Sequence, residues 1–425
     1  MSLRRELGVF GATMMGLGSI IGTGVFVSIG IAAGIAGAAV VIAIAIAAAV
    51  ATCNALSSAQ LAANHPVSGG TYEYGYRYLR PWLGFSAGWL FLCAKTASAA
   101  TAALGFAGYF LNMTGHDSRW LVPVAVGAVV VLTVIVLCGI RLSNQVNIAI
   151  VSITLLSLAA FVVAGVPLVS ASRLALHIEP HSLAHATALM FVAYSGYARI
   201  TTLGEEVREP QRTIPRAIII TLILTMFVYG MVAVVAIGAA GVDALFAATA
   251  NKAAPLEVVA RKFPLQVQGF VSAGAMTAML GVLLNLLLGL SRVMLAMGRR
   301  GDMPSMTSNV AISVVIVGTI IAGLAATGSV KTTWSFSAFT VLIYYALTNL
   351  AALRLTERLY NKAWSWCGLL ACVMLAFSIE WQVWSVGLAV LGVGLLWHWF
   401  RGQHRHHNEE CAEGTAENGT RTKSH

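Results

Sequence analysis

The sequence predicts an all-α protein that crosses a membrane many times as one helical bundle. Three observations predict it. Charged residues make up only 10% of the chain and apolar residues 58%, whereas a soluble domain carries about 25% charged residues. Apolar runs of roughly 20 residues, the length of a membrane crossing, recur from end to end. Two of these runs are interrupted in their middle, at Gly18-Ser19-Ile20-Ile21-Gly22-Thr23-Gly24-Val25-Phe26 and at Phe191-Val192-Ala193-Tyr194-Ser195-Gly196-Tyr197-Ala198-Arg199. The runs are too long and continuous for the alternating strands of a membrane barrel. The formal charge of +10 sits beside the apolar runs, where it sets topology, and is not read as a nucleic-acid surface. The six cysteines have no metal-ligand spacing and read as small apolar residues, and no cofactor is expected.

Twelve segments follow from the apolar runs: 9–34 (interrupted), 37–60, 82–112, 120–138, 143–166, 183–206 (interrupted), 214–240, 266–298, 309–327, 332–353, 364–379 and 382–400. With the N-terminus inside, 19 of the 26 Lys and Arg residues fall on the cytoplasmic side, six outside, and Lys95 within a segment. This bias predicts a multi-pass protein of the cytoplasmic membrane with both termini cytoplasmic. Residues 1–400 form one transmembrane domain, and the polar stretch 401–425 reads as a disordered cytoplasmic tail.

In chain order, segment 1 carries three glycines within seven residues, which weakens a helix at its centre. A broken helix in a bilayer is tolerated where its freed backbone groups line a cavity or are buried in protein. Gly16, Gly18 and Gly22 also suit a close helix–helix packing face. Segment 2 is rich in Ala, Ile and Val, as an interior helix would be. The following loop, from His65 to Tyr74, combines turn residues with aromatics and reads as an ordered cytoplasmic connection, with a short amphipathic segment as one form of it. Segment 3 carries Lys95 roughly 20 Å from Trp82, too deep to snorkel easily. An intramembrane cation is a functional candidate by default. In segment 5, Thr154 bonds back to its own helix or serves a coupling ion. In segment 6, Ser195-Gly196 between Tyr194 and Tyr197 weakens the helix. Beyond it, Glu205 to Arg216 is a charged turn in which Pro210 stops one helix and Pro215 opens the next. Asn285 in segment 8 is polar in mid-helix. Trp381, Trp384, Trp397 and Trp399 fit interfacial belts.

Two interrupted helices five segments apart match inverted repeats, about 9–166 and 183–353, with extra helices at about 364–400. Such a pair of breaks suits an amino acid. Its carboxylate accepts from N–H groups at Gly22, Thr23 and Gly24, with the Thr23 hydroxyl. Its ammonium donates to carbonyls at Ser19 and Ile20, and at Val192, Ala193 and Tyr194. Lys95, Thr154, Tyr197 and Asn285 are the coupling or gating candidates, with a proton or sodium as the coupling ion.

The Gly18–Phe26 stretch resembles the amino acid–polyamine–organocation (APC) family. So do the helix 6 region from Phe191 through Gly204-Glu205-Glu206-Val207-Arg208-Glu209-Pro210 to Ile214-Pro215-Arg216-Ala217, and Ser291-Arg292 with Gly301-Asp302-Met303-Pro304. The resemblance covers nearly the whole chain. It implies a LeuT-like fold of five-plus-five inverted repeats with two additional helices, and symport or antiport of amino acids by alternating access. It also carries the substrate role onto Ile20, Gly22, Thr23, Gly24, Tyr194, Ser195 and Gly196. The sequence departs from the family in three places. Thr154 stands where proton-coupled members have a lysine. Ala198 stands where relatives taking cationic substrates have an acid. The stretch after Pro304 is short. A neutral amino acid is therefore the expected substrate, with an anionic or cationic one as the alternative. A non-transporting membrane sensor is the reading from another class. The expected partners are the amino acid, the coupling ion and the lipid bilayer.

Overall fold

The computed structural model describes the backbone of residues 8–65, 69–139, 144–201 and 207–421, and the side chains within them apart from those of 144, 210 and 402–421. Among the described residues all regular structure is helical, and helix occupies each predicted apolar segment. Eight stretches are long and apolar enough to cross a membrane by length and composition; Val9–Ile20, Val310–Ala325 and Lys362–Ala376 are shorter apolar helices.

Helix α1 (Val9–Ile20) stops inside the first predicted interruption. Ile21 is extended (φ −78°, ψ 104°), and the chain resumes as a π-helical turn, Gly24–Ser28, that runs into α2 (Ile29–Ala36). From Gly24 to Asn64 the stretch is strongly apolar on average. Gly37 nevertheless turns the chain, at φ 59°, a conformation that a Cβ would strain. Helix α3 (Val40–Asn64) therefore leaves as a separate element. Along α3, Ala43, Ala47, Ala51, Ala55 and Ala59 are all buried. At a spacing of four they form a ridge of small side chains that lets α3 lie close to its neighbours.

The aromatic connection becomes a short helix, α4 (Thr71–Tyr78), whose first residues lie on α5 (Pro81–Thr114). Pro66, Val67 and Ser68 of the predicted loop lie outside the described residues. Helices α6 (Leu121–Leu137) and α7 (Asn144–Gly165) complete the first half. The second interrupted segment is α8 (Pro180–Tyr194), a single 3-10 turn Ser195–Tyr197, and α9 (Ala198–Thr201). Glu205 and Glu206 of the predicted charged turn lie outside the described residues.

Helix α10 (Pro210–Ala240) corrects the predicted boundary. Pro210 opens it and Pro215 lies inside. Glu209, at φ 45°, ends the preceding segment, and a proline at the first helical position gives up an N–H that has no intrahelical partner anyway. Then follow α11 (Val242–Lys252), α12 (Pro255–Ala260), α13 (Gln268–Arg300), α14 (Val310–Ala325), α15 (Val330–Leu353), α16 (Lys362–Ala376) and α17 (Trp381–Arg421). Helix α17 continues where the polar composition predicts an unstructured tail. Extending a helix that is already formed avoids the cost of nucleation.

Helix α5 is buried along most of its length, against α13 and α15, while α6 and α17 present their side chains outward. Hydroxyls stitch α5 to α15: Ser98 to Ser337 and Thr101 to Thr333, each at 2.7 Å. At one end of the bundle α4, the end of α13 and α17 are tied together. Tyr72 and Tyr76 both donate to one oxygen of Asp302 (2.6 and 2.7 Å). Arg300 bonds Glu73 at 2.8 Å and lies 4.3 Å from the Tyr76 ring centroid. Trp397, expected in an interfacial belt, instead donates to the Asp302 carbonyl at 2.9 Å. Burial and the bond to Asp302 raise the Tyr72 phenol well above its ordinary range, so it remains a donor.

Candidate functional site: a cavity between the two interruptions

The two interrupted segments touch. A Cβ on Gly196 would lie 2.2 Å from the Ser19 carbonyl oxygen, and one on Gly24 would lie 2.6 Å from the Ala193 Cβ. These glycines allow a backbone approach that no larger residue permits. Gly16, Gly18 and Gly22 likewise face Ile200, Asn147 and Val282 at contacts too short for a Cβ. The glycines of segment 1 thus serve packing as well as the break.

Beside this contact is a small pocket, partly open, at the meeting of the two interruptions. The first interruption lines it with Ser19, Ile20, Thr23 and Gly24, and the second with Val192, Ala193, Ser195 and Gly196. Lys95 and Ser98 of α5, Val282 and Leu286 of α13, and Trp334 of α15 close the walls.

At the first interruption the α-helical bond pattern lapses. Ile21 N–H still reaches the Leu17 carbonyl at 2.7 Å, and Val25 and Phe26 N–H both use the Gly22 carbonyl at 3.2 Å. The Gly22 and Thr23 N–H groups have no acceptor among the described residues. The Thr23 hydroxyl is buried at the cavity and is also without a partner. Leaving buried donors unsatisfied costs about 1–3 kcal/mol each. Of these, Thr23 lines the cavity and Gly22 lies next to it in the chain.

The carbonyl side is more heavily engaged than the sequence suggested. The Tyr229 hydroxyl donates to the Ile20 carbonyl at 2.9 Å, and the Ser195 hydroxyl to the Val192 carbonyl at 2.7 Å. Tyr345 donates to the Ser195 carbonyl at 3.1 Å. Each such oxygen keeps a second lone pair. The second interruption is a tightened turn, with Ser195 at φ −61°, ψ −6°. Its neighbours hold it in place, so the helix is less broken there than in segment 1.

Lys95 is buried, 8% exposed, and donates to the Ser195 hydroxyl at 2.8 Å. It therefore joins α5 to the second interruption at the cavity wall. Other predicted residues lie elsewhere. Gly22 packs on Val282 beside the cavity without lining it. Tyr194 donates to the Ile44 carbonyl at 3.2 Å, and Tyr197 stands against Tyr345 with ring centroids 5.6 Å apart. Thr154 bonds back to the Ile150 carbonyl at 2.7 Å. Asn285 is half-buried on α13, away from the lining. Ser98, Val282, Leu286 and Trp334 escaped sequence reasoning. Ser98 lies three residues from Lys95 on the same helix face, which is a usable signal. The others are ordinary apolar helix residues with no distinguishing local pattern. Trp334 is fixed by its indole N–H, which donates to the Leu189 carbonyl at 3.0 Å.

Comparison with known proteins gives one consistent result. The family model described as amino acid permease matches residues 11–408. An uncharacterized transporter of Mycobacterium tuberculosis is 41% identical over 406 residues, covering 92% of this chain and 90% of the relative. The branched-chain amino acid permease of Bacillus subtilis is 30% identical over 340 residues, 73% of this chain and 70% of the relative. The methylthioribose transporter of the same organism is 26% identical over 331 residues, 73% of this chain and 70% of the relative.

Proposed function

We propose that this chain, which belongs to the amino acid permease family, is a secondary active transporter that carries neutral amino acids by alternating access. The observation that carries the reading is the cavity itself. Among the described residues the Gly22 and Thr23 N–H groups and the Thr23 hydroxyl have no partner at one interruption, and carbonyls with a lone pair to spare stand on both. An amino acid's carboxylate suits the donors, where the start of the second half of segment 1 adds a positive dipole end. Its ammonium suits the carbonyls of Ser19, Ile20, Val192 and Ala193. Apolar Val282, Leu286 and Trp334 leave space for an uncharged side chain. A second cation would meet Lys95, and among the described lining residues none is acidic, so arginine or a polyamine would bury an unpaired charge. The name of the branched-chain permease relative agrees with a neutral side chain.

The same reading takes the twelve helical segments as twelve crossings, with 9–166 and 183–353 as LeuT-like inverted repeats and both termini cytoplasmic. Rocking one group of helices against the other would then expose the cavity to each side in turn. The test is uptake into proteoliposomes, each batch preloaded with one unlabelled amino acid, with labelled alanine or leucine outside. Sodium and pH gradients are imposed separately. Uptake driven by a gradient names the coupling ion, and uptake only with internal amino acid indicates exchange. If correctly folded protein moves glutamate or arginine and no neutral amino acid, the neutral assignment is wrong.

A further inference from the structure

Lys95 has a feature that a backbone-only binding site leaves unexplained. Its ammonium has three donors, and one is used, on the Ser195 hydroxyl at 2.8 Å. That hydroxyl is itself committed, donating to the Val192 carbonyl at 2.7 Å. Among the described residues, no carboxylate lies within 4 Å of Lys95, although it is almost wholly buried. Burying a cation without a counter-charge is expensive. Among the described residues, Lys95 is one of those that line the cavity.

We propose that Lys95 is a specificity-determining residue whose counter-ion is a carboxylate brought by the substrate. The proposal rests on the transport reading above and deepens it. When Lys95 is protonated the cavity wall is positive, and a ligand that brings an anion satisfies it. Gly24, Ser195 and Lys95 line one small pocket, so an amino acid bound there lies beside the ammonium. Lys95 would then reject amino amides and amines, which keep the ammonium and lose the carboxylate. The carboxylate has two possible sources, the α-carboxylate or an acidic side chain, and both give Lys95 the same partner.

The test uses full-length protein in proteoliposomes and competition against whichever labelled amino acid the first assay identifies. Competitors are alanine and alaninamide, leucine and leucinamide, and glutamate and glutamine. In one set of pairs, the amino acids over their α-amides or glutamate over glutamine, wild type should prefer the acid by at least about tenfold, as expected for a charge-assisted hydrogen bond. In Lys95→Met that preference should fall severalfold or more. Loss confined to the α-amide pairs assigns the α-carboxylate; loss confined to glutamate over glutamine assigns the side chain. Lys95→Arg and Ser195→Ala, which keep a cation at this wall, should retain the preference. Should Lys95→Met fail to fold, Lys95→Gln, which keeps a donor but no charge, carries the same expectation. A Lys95→Met or Lys95→Gln variant with wild-type acid-over-amide preference overturns the inference while leaving amino acid transport intact. Wild-type protein that moves no amino acid overturns the transport reading instead.

Discussion

Replacing Gly196 by alanine tests whether the contact between the two interruptions builds the cavity. The added Cβ would stand 2.2 Å from the Ser19 carbonyl oxygen, 2.6 Å from its carbon and 2.8 Å from Ile20 Cγ1, where ordinary contact begins at 3.4 Å. Two of these three atoms belong to the backbone, so no rotamer change relieves the clash. The end of α1 and the 3-10 turn Ser195–Tyr197 must separate by about 1 Å, and overpacking of this kind costs about 1–3 kcal/mol. The same shift would move Ser19 and Ile20 on one wall against Ser195 and Gly196 on the other. A displacement of that size at a positioning group can cost about a hundredfold. Gly230→Ala in α10 is the control, since nothing lies within 4 Å of a Cβ there. Relative to Gly, Ala favours a helix by up to about 1 kcal/mol. Thermal unfolding in detergent and initial uptake rates should therefore diverge: Gly230→Ala at or above wild type in both, Gly196→Ala lower in stability and at least tenfold lower in transport efficiency. Equal behaviour of the two variants would show that the interruptions need not touch, and the site as described would be wrong.

Three further substitutions probe separate parts of the structure. Thr23→Val keeps the side-chain shape and removes a buried hydroxyl that has no partner among the described residues. Stability should hold or rise slightly while the KM for uptake increases several-fold; an unchanged KM would remove Thr23 from the site. Tyr229→Phe deletes the 2.9 Å bond to the Ile20 carbonyl and should lower stability by about 1 kcal/mol, measured as a shift in the unfolding midpoint. A variant as stable as wild type would mean that this carbonyl is satisfied in another way. Asp302→Ala strips the shared acceptor from Tyr72 and Tyr76. It should destabilise by about 2–4 kcal/mol, since two charge-assisted bonds are lost, and increase proteolysis within α4. Protection of α4 equal to wild type would refute its attachment through Asp302.

The sequence by itself determined the helical class, the approximate place of each apolar segment and the two stretches that meet at the cavity. These are local properties: apolar run length reports a membrane crossing, and clustered glycines report backbone freedom. It also singled out Lys95, because a lone cation deep in an apolar run is anomalous wherever its helix packs. Tertiary structure decided which of the named residues share one space. Thr154 satisfies its hydroxyl on its own helix, and Tyr194 and Tyr197 turn to Ile44 and Tyr345, while Trp334 reaches the cavity from 140 residues downstream of the second interruption. The Tyr229 hydroxyl on the Ile20 carbonyl and the Lys95 bond to Ser195 are likewise contacts between distant helices. A helix presents several faces, and its own periodicity cannot state which neighbour each face will meet. That assignment depends on how the other helices pack, and here it is made where glycines let two interrupted backbones come together.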